Sequence, residues 1–236
     1  MNGIRAVAAV ATLLAAPAVA SEIIYQTQGP FGGMFGLWGP DVSRDQRVAT
    51  RFTADADYLL DRVSVWFMDN AGPARPRPRV RLSLQTSAGL IPSGVALERW
   101  EYSIQAVGWS PVLEASRSVV RPALRAGESY WIVAESDDPG GEDAVWNFAA
   151  FGNSFNAFDN LGSGWSSGPG AALTAIVEAT RLCPADWNAD GTVDFNDFLA
   201  FLNDYNAGAP RADLNGDGVV DFNDFLAFLN LYNTPC

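Results

Sequence analysis

The stretch VDFNDFLAFLN occurs twice in the chain, at Val193–Asn203 and, without a change, at Val220–Asn230. Extended in both directions, the comparison gives two units 27 positions apart, DWNADGTVDFNDFLAFLNDYN (186–206) and DLNGDGVVDFNDFLAFLNLYN (213–233), identical at 17 of 21 positions. The second half of each unit predicts a helix. Phe195, Phe198, Leu199, Leu202 and Tyr205 fall at i, i+3, i+4, i+7 and i+10, one broad apolar face, and Phe222, Phe225, Leu226, Leu229 and Tyr232 repeat it. Phe201 and Phe228 lie at the edge of that stripe, as core or as part of a binding surface. One short helix cannot bury such a face alone, so the two are expected to pack antiparallel about a pseudo-twofold axis.

The first half of each unit has the pattern D-x-N-x-D-G. Asp186, Asn188 and Asp190 occupy loop positions 1, 3 and 5, with Gly191 at position 6, where the chain turns sharply. The carbonyl of Thr192 stands at position 7, Asp194 at position 9 and Asp197 at position 12. Asp213, Asn215, Asp217, Val219, Asp221 and Asp224 repeat the set. Oxygen-only ligands at this spacing predict two bound Ca²⁺ in EF-hand-type loops, because a hard cation with six to eight flexible oxygen ligands is Ca²⁺ rather than Mg²⁺. Four carboxylates in twelve residues repel one another without an ion, so the module is expected to order when the ion binds. The alternative is a pair of Asp/Asn-rich turns that cap two helices.

Before the repeat, helical periodicity is absent. Residues 22–27, 47–53, 58–68, 79–86, 129–135, 145–151 and 172–179 are rich in Val, Ile and aromatic residues, several in strict alternation, and read as short strands. Gly- and Pro-loaded stretches such as NLGSGWSSGPG (160–170) separate them. The expected fold is mainly β, a jelly-roll-like antiparallel β-sandwich over 21–181, followed by a small all-α module over 182–236.

The ends and the composition narrow the chemistry. Residues 1–20, MNGIRAVAAVATLLAAPAVA, read as a secretory signal peptide, with Arg5 before an Ala/Val/Leu run and Ala18-Val19-Ala20 as the cleavage pattern. The mature chain is then expected to be extracellular or attached to the cell surface, with no membrane span. The formal charge is −12, and residues 182–236 carry nine Asp against one Arg. That balance disfavours nucleic acid as a partner and suits a cation. The chain has no His and no Lys, and its only cysteines are Cys183 and Cys236. Ser-His-Asp and Cys-His catalysis and His-ligated zinc are therefore excluded, and any enzyme chemistry would rest on carboxylates, Tyr or Arg.

The C-terminal repeat resembles the dockerin module, two loop-plus-helix units without the entering helix of a full EF-hand. It is similar to the cysteine-flanked anchors at the C-termini of secreted planctomycete proteins. The resemblance implies attachment to a protein partner, cohesin-like or of the cell envelope. The family's partner-reading positions 10 and 11 are held here by Phe195-Asn196 and Phe222-Asn223, where cellulosomal members often carry small hydroxyl residues. Cys183 and Cys236 bracket the module and, in a secreted chain, are expected to form a disulfide. VATRFTADADYLLDRVSVWF (48–67) followed by LRAGESYWIVAES (124–136) resembles the choice-of-anchor β-sandwich domains, with Gly127, Tyr130 and Trp131 at the motif positions. That likeness implies no activity.

Trp66, Trp131 and Trp146 fall within strands and are expected in the core. Trp38 and Trp165 lie in Gly-rich loops, where a ring either stacks on a sugar or folds over the sandwich edge. The arginines of RPRPRVRL (75–82) read as a solvated strand face with prolines protecting a sheet edge. The expected function is a non-catalytic secreted protein that binds two Ca²⁺ through its C-terminal module and attaches its β-sandwich to a partner. The alternative is a carbohydrate-binding component of a polysaccharide-degrading, cellulosome-like system.

Overall fold

The computed structural model describes residues 21–30, 38–70, 76–139, 143–188, 190 and 192–234. The expected signal peptide, Gly191 and Cys236 lie outside the described residues. The chain forms one compact unit over Ser21–Leu182 and a second from Cys183 onward.

In chain order the first unit holds strands β1 (Glu22–Gln26), β2 (Asp41–Val42), β3 (Gln46–Thr53), β4 (Tyr58–Asp69), β5 (Arg79–Ala88) and β6 (Ile91–Ser103). These are followed by β7 (Val112–Arg117), β8 (Ala123–Leu124), β9 (Ser129–Glu135), β10 (Ala144–Trp146), β11 (Phe148–Asn160), β12 (Ser166–Leu173) and β13 (Ile176–Arg181). They make two antiparallel sheets. The first runs β1-β13-β4-β10-β2, with β7 and β8 also paired to the long β4, and the second runs β12-β11-β3-β9-β5-β6. Inward residues of both sheets, Val63, Val65 and Phe67 of β4 with Leu82, Leu84 and Ile132 of β5 and β9, form one buried core. The architecture is mainly β, consistent with a sandwich.

Alternation explains most of these strands. In YLLDRVSVWFMD, Val63, Val65 and Phe67 face the core while Ser64 and Trp66 point the other way. Trp131 and Trp146 are fully buried, as expected, but Trp66 is only partly so, because it lies on the outer face opposite Leu113. Five strands escape the sequence pattern, the two-residue β2 and β8 among them. β6 carries a proline and five charged or aromatic residues near its end, β7 mixes Val, Leu and Ala with Glu, Ser and Arg, and β12 is SSGPGAAL. An edge strand such as β12 needs only the backbone of β11, so Gly and Pro are tolerated there. The arginine-bearing β5 is not an edge strand: β6 pairs along its free side. Arg75 lies outside the described residues.

The outer face of the second sheet is held by a row of alternating charge. Asp159 lies opposite Arg47, Glu135 opposite Arg81, and Arg81 opposite Glu101. Arg47 donates to Asp159 from two nitrogens, one at 3.0 Å, and pairs with Glu135 at 3.2 Å. The Asp159 side chain is fully buried and also accepts from Gly164 N at 2.9 Å. The Arg47 hydrogen bond, ahead of the opposing desolvation, holds the Asp159 carboxyl below the usual carboxylate range.

Two outcomes are expected. Asp159 has a folded pKa below its unfolded one, so its stabilisation is complete above the ordinary carboxylate pKa and fades as pH falls through the depressed value. Urea midpoints measured from pH 6 down to pH 2 should therefore fall less steeply in Asp159→Asn than in the parent chain. At Gly39, a Cβ would lie 1.9 Å from the carbonyl oxygen of Trp146. Gly39→Ala should cost on the order of 2 kcal/mol or more in denaturant unfolding, since backbone rather than a flexible side chain must yield.

Candidate functional site

The second unit contains two helices, α1 (Phe195–Ala207) and α2 (Phe222–Tyr232), each preceded by a loop, with a short 3₁₀ turn at Pro210–Ala212 between them. Both helices begin in the same way. Asp194 and Asp221 are the N-caps, accepting from Asn196 N at 2.7 Å and Asn223 N at 2.8 Å. Asp197 and Asp224 complete a capping box, each accepting from the N-cap backbone N–H at 2.8 Å. The other carboxylate oxygen reaches back across the loop. Asp197 accepts from Asn188 N at 3.0 Å, and Asp224 from Leu214 N at 2.8 Å and Asn215 N at 3.1 Å. Asp197 and Asp224 are fully buried. The backbone hydrogen bonds, led by that from Asp221 N and opposed by desolvation, hold the Asp224 carboxyl below its ordinary range.

Within the loops, side-chain oxygens fold onto the backbone two residues ahead. Asn188 accepts from Asp190 N and Asn215 from Asp217 N, both at 2.8 Å. Asp190 accepts from Thr192 N and Asp217 from Val219 N, both at 2.9 Å. The result in the first loop is convergence: one oxygen each from Asp186, Asp190 and Asp197 lies within 4.8 Å of the others. An all-oxygen set of this kind could hold a hard metal ion, and three anionic groups this close repel one another unless a cation offsets them. In the second loop both Asp213 oxygens accept backbone N–H groups, from Gly216 and Gly218 at 2.8 Å. Gly218 has φ +88°, which supplies the sharp turn expected at position 6.

The expected position-9 ligands, Asp194 and Asp221, are thus placed as helix caps rather than in the convergent trio. Thr192 and Val219 occupy exposed loop positions.

The helices meet through aromatic rings. Phe201 and Phe228 are fully buried and stack on each other, centroids 4.1 Å apart and planes 2° from parallel. Phe198 meets Tyr232 near the end of α2, and Tyr205 meets Phe225 near its start, so the helices run antiparallel. A shift of 27 residues maps the Phe198–Phe228 contact onto Phe225–Phe201, and Phe198–Tyr232 onto Phe225–Tyr205. This contact pattern has the expected twofold symmetry. The face, however, is rotated from the expected one. Phe201 and Phe228 are its centre rather than its edge, while Phe195 and Leu199 are 62% and 43% exposed and Phe222 and Leu226 are 63% and 44% exposed. Trp187, which has no counterpart in the second repeat, sits edge-on to both stacked rings at 5.1 and 5.7 Å. Its Nε1 donates to Asp204 at 2.8 Å, and Arg211 pairs with Asp204 while lying 4.9 Å over the indole.

The partner-reading candidates Phe195, Asn196, Phe222 and Asn223 are all exposed at the start of the helices. The sugar-stacking candidates are less open. Arg47 lies 5.0 Å over the Trp165 ring, and Trp38 is partly buried with its ring 6.2 Å from Trp109, which is itself 52% exposed. Trp109 carries no sequence signal beyond its position in a loop.

No protein-family model matches the chain, and no curated protein matches it. The dockerin and EF-hand resemblance is corrected accordingly. Cys183 is disulfide-bonded and no free cysteine is found among the described residues, while its expected partner Cys236 lies outside them, so the pairing expected of the cysteine-flanked anchor type is not itself described. The unit is therefore described by its geometry, as two loop-and-helix halves. Among the described residues no helix is long and apolar enough to cross a membrane.

The stacked pair gives a direct test. Phe201→Ala and Phe228→Ala should each cost about 3–5 kcal/mol in unfolding of the C-terminal unit. Because the two rings share one contact, the double variant should cost clearly less than the sum in a denaturation double-mutant cycle.

Proposed function

We propose that the C-terminal unit is a calcium-dependent attachment module that holds a non-catalytic β-sandwich at the cell exterior through a protein partner. The observation that carries this reading is the convergence of Asp186, Asp190 and Asp197 at the start of a helix, with the same residue types repeated in the second loop. The donor set fits Ca²⁺: all ligands are oxygens, they lie on a flexible loop, and there is no His or thiolate among them. Asp186, Asn188, Asp190 and Asp197 would hold one ion, and Asp213, Asn215, Asp217 and Asp224 the other, with Asp194 and Asp221 kept as caps. The exposed Phe195–Leu199 and Phe222–Leu226 pairs support the attachment role, since large apolar side chains left in water at matching positions form a partner-facing surface. The leader-like residues 1–20 support export. The jelly-roll-like reading of the sandwich is supported by the chain's repeated crossing between sheets, from β3 to β4, β6 to β7 and β12 to β13.

Calorimetric titration of the full chain with Ca²⁺ should give two equivalents per chain, with Mg²⁺ bound far more weakly. Asp190→Ala and Asp217→Ala should each remove one equivalent. Chelation should lower the unfolding midpoint of the C-terminal unit, as loss of a native-state ligand requires. A chain that takes up no Ca²⁺, or whose uptake survives both substitutions, would sink the calcium reading.

A further inference from the structure

The two loops of the C-terminal unit are near copies, but one chemical difference sets them apart. Of the thirteen asparagines beyond residue 20, only Asn215 is followed by glycine. At the matching place in the first loop stands Asn188-Ala189. An asparagine side chain is open to attack at Cγ by the backbone nitrogen of the next residue, which closes a five-membered succinimide. A side chain on that next residue crowds the approach, and glycine has none.

The second loop brings the reacting groups together. Asn215, Gly216 and Asp217 are all exposed. Asn215 Oδ1 accepts from Asp217 N at 2.8 Å, so the carboxamide is folded forward over the Gly216 peptide instead of extending into solvent. The same hydrogen bond polarises the side-chain carbonyl and stabilises the charge that develops on Oδ1 during attack. The attacking nitrogen has an acceptor for its proton, because Gly216 N–H donates to Asp213 Oδ1 at 2.8 Å. Gly216 has φ +74°, and beyond its chain neighbours no atom lies within 4 Å of where its Cβ would be, so the approach is open. The leaving nitrogen is free as well. Among the described residues Asn215 Nδ2 has no hydrogen-bond partner, whereas Asn188 Nδ2 donates to Asp190 at 2.9 Å. The first loop thus makes the same turn, from Asp190 N to Asn188 Oδ1, with a hindered neighbour and a tethered leaving group.

We propose that Asn215-Gly216 is a self-modification site, at which the folded chain converts its own asparagine into aspartate and isoaspartate. The bond that forms joins Gly216 N to Asn215 Cγ, and the bond that breaks is Cγ–Nδ2. The Gly216 amide proton passes to Asp213 and on to the departing nitrogen, which leaves as ammonia. Water then opens the ring at one of its two carbonyls. Opening at Cγ gives aspartate. Opening at the backbone carbonyl gives isoaspartate, whose main chain runs through the side-chain carbons and is one methylene longer. No oxidant, reductant or second enzyme is required. Both products change the turn that Asn215 closes with Asp217. On the calcium reading proposed above, on which this consequence rests, isoaspartate displaces an oxygen ligand of the second ion and leaves the first loop untouched.

The test is incubation of the full chain in H₂¹⁸O at pH 8, native and in urea, followed by peptide mapping with mass detection. A chelator keeps the oxygens of Asp213 and Asn215 free of any ion. Mass is read rather than ion uptake, so failure of the modification and failure of the calcium reading are told apart. In the native chain the Asn215 peptide should lose ammonia, gain one ¹⁸O and split into two isomers of equal mass. Asn188 in the same chain should convert at least about tenfold more slowly. Gly216→Ala should slow conversion of Asn215 by about tenfold or more. Because the positive φ at Gly216 strains an alanine there, Ala189→Gly provides the reciprocal variant and should raise conversion of Asn188. The proposal is overturned if Asn215 converts no faster than Asn188, if it converts only in urea, or if neither variant changes the rate at its asparagine.

Discussion

A carboxylate removed from water must be surrounded by donors, and in the C-terminal unit Asp197 and Asp224 meet that requirement by tying each loop to its helix. One oxygen takes the N–H at the helix start and the other takes the N–H near the loop start. Loop closure and helix initiation are therefore one event. The position of the cap sets the helical register, and the register decides which ring of FNDFLAFLN turns inward. An anionic group in the first helical turn is also on the favourable end of the helix dipole. Without these two residues there would be no fixed direction for Phe201 and Phe228 to point, and no stack.

The same constraint explains why the unit is duplicated and yet not perfectly symmetric. Each helix is too short to be stable in water alone, so each supplies half of a shared aromatic core. A stack on a twofold axis buries the central rings but leaves an open side. Trp187 covers it, its ring standing perpendicular beside both stacked rings. Leu214 stands at the matching place in the second repeat, and Leu231 matches Asp204. The hydrogen bond and ion pair that orient Trp187 are thus confined to one half, and the outward Phe–Leu pairs keep the symmetry that the interior has given up.

Much of this was legible in the chain and some was not, for identifiable reasons. The loops, helices and twofold relation follow from the repeat itself. The buried face does not, because α1 has two overlapping apolar stripes, one through Phe195 and Leu199 and one through Phe198, Phe201 and Tyr205. Periodicity scores both, and only the partner helix with Trp187 chooses between them. In the β unit, β3, β4 and β5 were readable by alternation, and β9 as a short, continuous apolar run buried on both faces. β12 was not, since an edge strand of Gly, Ser and Pro takes its conformation from β11. Trp165 stayed open between a sugar-stacking ring and one folded over the sandwich edge because its covering group, Arg47, lies far away in the chain and arrives through the pairing of β3 with β11.

The two units also treat buried polar groups in opposite ways. In the C-terminal unit both Asp197 and Asp224 have their oxygens engaged by backbone N–H groups, and the resulting geometry is self-supporting apart from the crowding of charge in the first loop. At the edge of the sandwich, where β7 turns Glu114 and Ser116 to the core-facing side of β4, Glu98 and Glu114 accept backbone N–H groups, whereas the buried Tyr102 and Ser116 hydroxyls face each other. β7 leaves Leu113 38% exposed and turns Ser116 inward, and a one-residue register slip would instead turn Arg117 inward and Val112 out. The register is set by the pairing of β7 with β4 from Arg62 to Phe67 and by hydrogen bonds to Glu98, from Trp100 and to Glu114. Charge buried at this edge is thus matched by backbone donors, while its buried hydroxyls are left to each other.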